Sequence, residues 1–485
     1  MAVDATPGYD LQPSGQQVAL ASNYLTSADF DFLNQYLPDT YEKEFERYGN
    51  RTVASFLRMV GAEMPSNSDL IKWAEQGRLH TKYTGCTSAG IAGATNGLWT
   101  IPAAQQTGGP QPPASSMPAN GYTAIRTGQT VMISDETAGS TLSNKGIVTV
   151  VSAVNGDITV AYYEAGGQTM GPGVNCSIFV YGSEFQKGTV GMANSIESQD
   201  YIFDNSPIII KDTYEVSGSD MAQIGWVEIT TENGGSGYLW YLKSEHETRL
   251  RFEDYLETAM VEAVPAEAGS GAANTGAVNP NFGQKGSDGI FYVVNTRGNV
   301  WSGGNPVALA GFDSVIQRLD KQGAIEENVI FCNRDFSFDI DDMLAAQNSY
   351  GAGGTSYGLF DNDEEMALNL GFTGFRRGYD FYKSDWKYLN DPTMRGGLTG
   401  GKINGLLVPA GSTTVYDQIL GKNAKRPFLH VRYRASETED RRYKTWITGS
   451  AGGARTSDLD AMQVNFLSER AVCTLGANNF FLFRD

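Results

Sequence analysis

The sequence predicts an α+β protein that carries a small inserted β-barrel or sandwich domain. Three observations point there. Residues 238–263, YLWYLKSEHETRLRFEDYLETAMVEA, hold the longest uninterrupted helical pattern in a chain otherwise full of short strands and glycine. Residues 120–190 hold a regular series of short strand patterns behind a Pro/Gly/Ser-rich linker. From residue 264 onward, helical and strand patterns mix without an internal repeat, as expected of helices flanking a mixed sheet.

Taken in order, residues 1–80 read as an extended leader with short amphipathic helices. TSADFDFLNQYLP offers Thr26 or Ser27 as a cap and Pro38 as a stop; Asn50 caps RTVASFLRMVG; Ser68 caps DLIKWAEQG, with Gly77 past its end. Residues 81–119 form a linker, AGIAGATNG and QQTGGPQPPASSMPANG, with LWTIPA between them as a short strand. Within 120–190, IRTGQTVMISD, KGIVTVVSA, DITVAYYEA and CSIFVYGSEF read as strands, and Asn155-Gly156 is a hairpin signal. Residues 191–237 bring two extended runs broken by SGSD.

The long helix follows at once. Gly234, Gly235 and Gly237 precede it, Pro265 follows it, and Glu245 faces Arg249, Glu247 faces Arg251 and Arg249 faces Glu253 at helical spacing. At about 1.5 Å per residue it is a rod of roughly 40 Å. Leu239, Leu242, Leu250, Tyr255, Leu256 and Met260 are expected to pack inward. Beyond it, FDSVIQRLDKQGA reads as a helix ended by Gly323, NVIFCN as a buried strand and DIDDMLAAQNSYG as a helix. INGLLVPAG, PFLHVRYRA, RAVCTLGA and FFLFR complete the strands.

Composition narrows the function. The 485 residues carry 36 Lys plus Arg against 55 Asp plus Glu, a formal charge of −19. That argues against a broad grip on nucleic acid, which takes clustered Lys and Arg, but it tolerates nucleic acid enclosed at a distance. Cys86, Cys176, Cys332 and Cys473 lie far apart with no CxxC pair, as expected of buried thiols from a reducing compartment. MAVDATPGYDLQ shows no signal-peptide pattern and no stretch has the length and apolarity of a membrane span. The expectation is synthesis in a cytoplasm and no membrane partner.

No catalytic constellation stands out. GGLTGGK at 396–402 has phosphate-loop spacing, but Ile403 replaces the metal-holding Ser or Thr and a strand pattern follows where a helix is needed. GTSYG at 354–358 matches a nucleophile elbow around Ser356 but sits in a loop pattern. The acidic clusters Asp339, Asp341, Asp342 and Asp361, Asp363, Glu364, Glu365 read as solvated helix starts or turns. His80, His246 and His430 have no zinc spacing. No cofactor, metal or catalytic residue is expected.

The order of elements resembles the major capsid protein of tailed bacteriophages, the HK97-like fold. In that resemblance residues 1–80 are the N-arm, 81–119 the linker and outgoing E-loop limb, and 120–190 an inserted β domain that departs from the minimal family pattern. PIIIKDTYEVSGSDMAQIGWVEI looks like the returning E-loop limb, within 191–237. Residues 238–263 look like the spine helix, which with the peripheral domain spans 238–290. Residues 291–485 are the axial domain with returning peripheral-domain strands, and TSDLDAMQVNFLSERAVCTLGANNFFLFR resembles the family's C-terminal segment. The crAss-like phages are the group suggested.

The resemblance implies a non-enzymatic virion protein, made in the host bacterial cytoplasm. It would self-assemble as hexamers and pentamers of an icosahedral shell enclosing double-stranded DNA without sequence-specific binding. Portal and other capsid proteins, scaffold or decoration proteins among them, are the implied partners. Arms and limbs would bury Phe30, Phe45, Ile208, Tyr214 and Val216 on adjacent copies, with Glu245, Arg249, Arg251 and Glu253 of the helix meeting neighbours. The family's Lys–Asn cross-link has no matched positions here. The competing readings are a tail-tube, baseplate or surface-layer protein and, further off, a hydrolase using Ser356 or a glycosidase with paired carboxylates.

Overall fold

The computed structural model describes residues 62–77, 80–90, 93–102, 123–152, 156–192, 200–222, 229–230, 236–237, 240–273, 283–323, 325–348, 373–417, 422–453 and 455–485. The predicted helices at 26–38 and 50–61, with Phe30 and Phe45, lie outside them, as do Ser356 and the acidic run at 361–365.

Strands β1 (Ala62–Ser66), β2 (Ile71–Gln76), β3 (Lys82–Ser88) and β4 (Asn96–Thr100) come first, then β5 (Gln129–Asp135), β6 (Ser143–Val151), β7 (Ile158–Tyr162) and β8 (Cys176–Ser183). Next are β9 (Asp200–Asn205), β10 (Ile208–Ser217), α1 (Gly218–Met221), β11 (Ile229–Thr230), β12 (Ser236–Gly237) and the long α2 (Trp240–Glu262). Then follow α3 (Ile290–Arg297), β13 (Asn299–Ser302), α4 (Leu309–Gln322), β14 (Glu327–Cys332), α5 (Arg334–Asn348), β15 (Gly374–Arg377), β16 (Tyr379–Asp385) and α6 (Lys387–Asn390). Strands β17 (Ile403–Pro409), β18 (Ser412–Asp417), β19 (Lys422–Pro427), β20 (Leu429–Arg434), β21 (Lys444–Gly449), β22 (Ala461–Thr474) and β23 (Phe481–Arg484) finish the chain.

Two compact units divide these elements. The described residues of the smaller lie within Val216–Glu247 and Gly449–Met462; the larger takes Thr52–Glu215, Thr248–Thr448 and Gln463–Asp485. In the smaller unit Ser217 caps α1 by accepting from the Asp220 N–H, and the Gly218 N–H donates to the Asp460 carbonyl at 3.1 Å. A Cβ on Gly218 would meet the Asp460 carboxylate at 2.3 Å, so glycine lets these two segments approach.

The larger unit holds a closed barrel in the order β3-β4-β7-β6-β5-β8. Period-2 alternation explains its core. Trp99, Val131, Ile133, Ile158 and Val160 are all fully buried in one cluster, while the intervening residues face out. The strands expected between 120 and 190 are present, but the ring closes only through β3, which was not expected as a strand, and β4, which overlaps the short strand read at LWTIPA outside the inserted domain. On β6 of the barrel, buried Asn144 donates to the Gly167 carbonyl at 3.1 Å and accepts from the Thr169 N–H at 2.8 Å, so its amide is satisfied.

A six-stranded sheet, β13-β23-β17-β14-β16-β15, is the second core. Every residue of β17 is buried, as a central strand covered on both faces must be. Phe312, Val315 and Leu319 of α4 and Phe336, Ile340 and Met343 of α5 cover one side together with Phe381, Leu407 and Phe481. Ile290, Phe291 and Val294 of α3 share the other core with Phe331, Leu406 and Leu482. Gly323 ends α4 in the left-handed region at φ 90°, as its sequence predicted.

The third sheet runs β1-β20-β22-β10, with β21 also on β22. Against it lies α2. Of the residues expected to pack inward, Met260 is fully buried and Leu256 nearly so, and Phe252 and Val261 are fully buried beside them. The Phe252 ring stacks on Phe466 at 5.6 Å and meets Tyr443 edge-on at 5.5 Å. Tyr255, expected to face inward, is 45% exposed; Phe252, three residues earlier, takes that side.

Ser68–Gly77 is not a helix. Ile71, Trp73 and Glu75 alternate with exposed Lys72, Ala74 and Gln76 in strand β2, and the Ser68 hydroxyl accepts from the Leu70 N–H at 3.2 Å, a local turn instead of a helix cap. The partner strand, β9, lies far downstream in antiparallel register, Ile71 opposite Asn205 and Gln76 opposite Asp200. Tertiary pairing overrides the weak local signal.

Candidate assembly surface

The β2–β9 ribbon carries the whole barrel between its strands. Its register puts Ile71, Trp73 and Glu75 on the same face as Asn205, Phe203 and Tyr201, and Lys72, Ala74 and Gln76 on the other with Asp204, Ile202 and Asp200.

The root is pinned. Buried Asn205 donates to the carbonyls of Val472 at 2.7 Å and Asp288 at 3.1 Å and accepts from the Ser287 hydroxyl and Asp288 N–H, both at 2.9 Å. Burial holds the Asp288 carboxyl above its ordinary range. Arg297, at the end of α3, lays its guanidinium 4.1 Å from the Phe203 ring centroid and 5.8 Å from that of Trp73, a cation–π clamp. Glu75 accepts from the Gly476 N–H at 2.9 Å and from the Trp73 indole at 3.0 Å.

Toward the barrel the hold loosens. Ile71 is 8% exposed, whereas Tyr201 on the same face is 52% exposed. Ile202 on the opposite face is 69% exposed. A two-stranded ribbon is marginal by itself in water, and among the described residues neither of its outer edges pairs with a third strand.

Charge ties the preceding segment down as well. Glu63 of β1 binds Arg470 at 3.3 Å and also Arg442. Asp69 binds Lys285 at 2.5 Å and Arg434 at 3.3 Å, and Lys285 first, then Arg434, hold its carboxyl below the usual range. Glu469 of β22, itself nearly buried, binds Arg441 at 2.7 Å.

The sequence-predicted contacts fall in different places. Val216 is 3% exposed, and half-buried Ile208 packs in part on the chain's own central core. Tyr214 is half-buried. On α2, Glu245, Arg249 and Glu253 are half-exposed, and exposed Arg251 pairs with Asp212 of β10 at 3.3 Å; Lys243 and Glu247 form the helical pair at 3.9 Å. Sequence reasoning missed Asn205, Arg297 and Ile202. Asn205-Ser206-Pro207 carries only a turn signal, and the partners that make Asn205 a hub are remote in sequence.

The chemical motifs dissolve into structure. Gly396–Lys402 leads straight into β17, and Lys402 binds Asp335 at 3.3 Å. Asp341 is taken by Lys383 at 2.5 Å, both side chains largely buried, and Asp339 accepts from Asn305 at 2.5 Å. His80 and His246 are exposed, while His430 is buried. Among the described residues no helix is long and apolar enough to cross a membrane.

No protein-family model matches the chain, and no curated protein is similar to it. Among solved structures it is similar to a chain of Microbacterium phage Oxtober96, at 10% identity and TM-score 0.39, over 94% of this chain and 98% of that one. It is similar to the capsid of a native GTA particle at 10% identity and TM-score 0.37, covering 95% and 99%. It is also similar to the mature capsid of bacteriophage PhiM1 at 9% identity and TM-score 0.32, covering 62% and 78%. None of these three is described as crAss-like.

Proposed function

We propose that this chain is a structural shell protein, the major capsid protein of a tailed bacteriophage, assembling as hexamers and pentamers around double-stranded DNA. One observation carries the reading. The β2–β9 ribbon is anchored at its root by Asn205 and Arg297, holds a barrel between its strands, and leaves Ile202 and Tyr201 exposed next to unpaired edges. A partly supported ribbon of this kind gains stability by lying on another copy. The element order supports the same reading: ribbon with inserted barrel, long helix, and a body of two sheets follow one another as the HK97-like resemblance implies.

On this reading Ile202 and Tyr201 join Glu245, Arg249, Arg251 and Glu253 as contacts between copies, with Phe30, Phe45 and Tyr214 as further contacts. Wrapped contacts of obligate type bury roughly 2,000 Å² or more. The chain works in the virion after synthesis in the host cytoplasm, with portal, scaffold or decoration proteins as partners and no catalytic role. Negative charge suits the enclosure, because a weakly repulsive wall lets DNA slide during packaging.

The test is purification of the full chain followed by negative-stain electron microscopy and light scattering. Closed shells, or hexameric and pentameric rosettes, are the expected result. A monodisperse monomer at high concentration, or tubes and planar sheets, would overturn the reading.

A further inference from the structure

Cys86 and Cys176 face each other across the seam of the barrel. They are register partners in the antiparallel pair β3–β8 and belong to the same buried cluster, each fully buried. Both are free thiols. Directly opposed residues in an antiparallel pair have Cα atoms about 4.5 or 5.5 Å apart, within the roughly 4.4–6.8 Å that a disulfide spans. The register shifts between Tyr83 and Cys86, and Gly85 sits there at φ 65°. This bulge gives β3 the local slack to bring the two sulfurs together.

The position matters because β3 is the chain's way into the barrel and β8 its way out. The seam pairs Lys82 with Phe179, Tyr83 with Ile178 and Cys86 with Cys176, and on its other edge β3 meets β4 at Thr87 opposite Thr100 and Ser88 opposite Trp99. A covalent link from Cys86 to Cys176 would close a loop containing the rest of the ring.

We propose that Cys86 and Cys176 are a latent staple that oxidises to an intrachain disulfide once the particle has left the reducing cytoplasm. The timing rests on the capsid reading; the pairing rests on the barrel alone. The oxidant is a low-molecular-weight disulfide. One cysteine thiolate attacks it and expels one small thiolate, forming a mixed disulfide. The second cysteine thiolate attacks the protein sulfur of that intermediate and expels the other small thiolate. Two protein thiols lose two protons and two electrons, and one small disulfide becomes two small thiols.

Folding also protects the reduced pair. Burial pushes the Cys86 thiol up to about 12, helped by Glu136, and the Cys176 thiol up to about 11, helped by Asp135 and Glu136. Exchange therefore proceeds through transient opening of the seam, and the staple forms slowly.

The full chain, purified under reductant, is incubated with oxidised glutathione, alone and with sub-denaturing urea to open the seam. It is then unfolded with excess thiol-reactive mass tag. The expected result is a fall from four tags to two, with one linked peptide pair containing Cys86 and Cys176, in dispersed subunits and assembled particles alike. The oxidised chain should melt several degrees higher and return to the starting midpoint on reduction. Cys86→Val should show three tags before and after oxidation; if that variant does not fold, Cys176→Ala gives the same count. Four tags after incubation in urea, or a link involving Cys332 or Cys473, would overturn the proposal. A linked pair in a chain that never forms particles would sink the capsid reading and leave the staple standing; particles that keep four tags would do the reverse.

Discussion

The Tyr388 hydroxyl donates a 2.7 Å hydrogen bond to Glu262, the last residue of α2. Arg395 holds the same carboxylate at 2.7 Å and stands 5.1 Å from the Phe291 ring centroid. Burial, and then the Glu262 carboxylate, raise the Tyr388 hydroxyl above its ordinary range, so it stays a donor at any working pH. This junction fastens the C-terminal end of the long helix to the loop before β17. Tyr388→Phe should cost about 1 kcal/mol of stability, and Glu262→Ala about 2–3 kcal/mol because it orphans both donors. Denaturant unfolding of the dispersed subunit measures both; equal losses would refute the shared-acceptor account.

The ring of Phe252 decides how α2 lies on its sheet. Phe252→Ala removes a fully buried ring packed between Phe466 and Tyr443 and should cost about 3–5 kcal/mol. Tyr255→Ala, at a position 45% exposed, should stay within about 0.5 kcal/mol of the parent. Thermal melts of the two variants should therefore differ widely, and similar midpoints would contradict the packing described.

His430 gives the body a pH dependence with a defined sign. Burial, opposed by the Pro427 carbonyl and reinforced by Arg432 and Arg426, lowers its pKa to about 4 from an ordinary 6.5. Between those values the unfolded chain binds a proton that the folded chain does not. Stability from this group is therefore full above about pH 6.5 and falls as pH drops toward 4, by about 3 kcal/mol at most. His430→Gln should flatten the stability profile between pH 4.5 and 6.5 relative to the parent. An unchanged slope would remove His430 from the account.

Ile202→Asp tests the ribbon as an adhesive surface. Its side chain is 69% exposed, so the melting midpoint of the dispersed subunit should hardly move. Particle yield in the assembly reaction should collapse, because a charge would be carried into an apolar contact. Normal particle yield would show that this face of the ribbon stays in water.

Local patterns were legible wherever a segment's own residues settle its conformation. The 238–263 helix, the Gly323 stop and the strands around Asn155-Gly156 were all read from spacing and punctuation alone, because caps, helical charge pairs and period-2 alternation act within a few residues. Ser68–Gly77 was misread for the complementary reason. Its alternation of Ile71, Trp73 and Glu75 is short enough to fit either period, and its pairing strand lies beyond the whole barrel. Phe252 was passed over for Tyr255 because both lie on an apolar stripe, and only the position of Phe466 and Tyr443 chooses between them.

The sequence by itself determined the long helix, the inserted run of barrel strands, the α+β character of the C-terminal half and the acidic balance of charge, since each depends on neighbours close along the chain. Only the tertiary structure decided that β3 and β4 close the barrel, that Asn205 pins the ribbon, and that Val216 is buried. The physical reason is that burial and hydrogen-bond satisfaction are set by groups brought together across large sequence separations. No local pattern records which of them will meet.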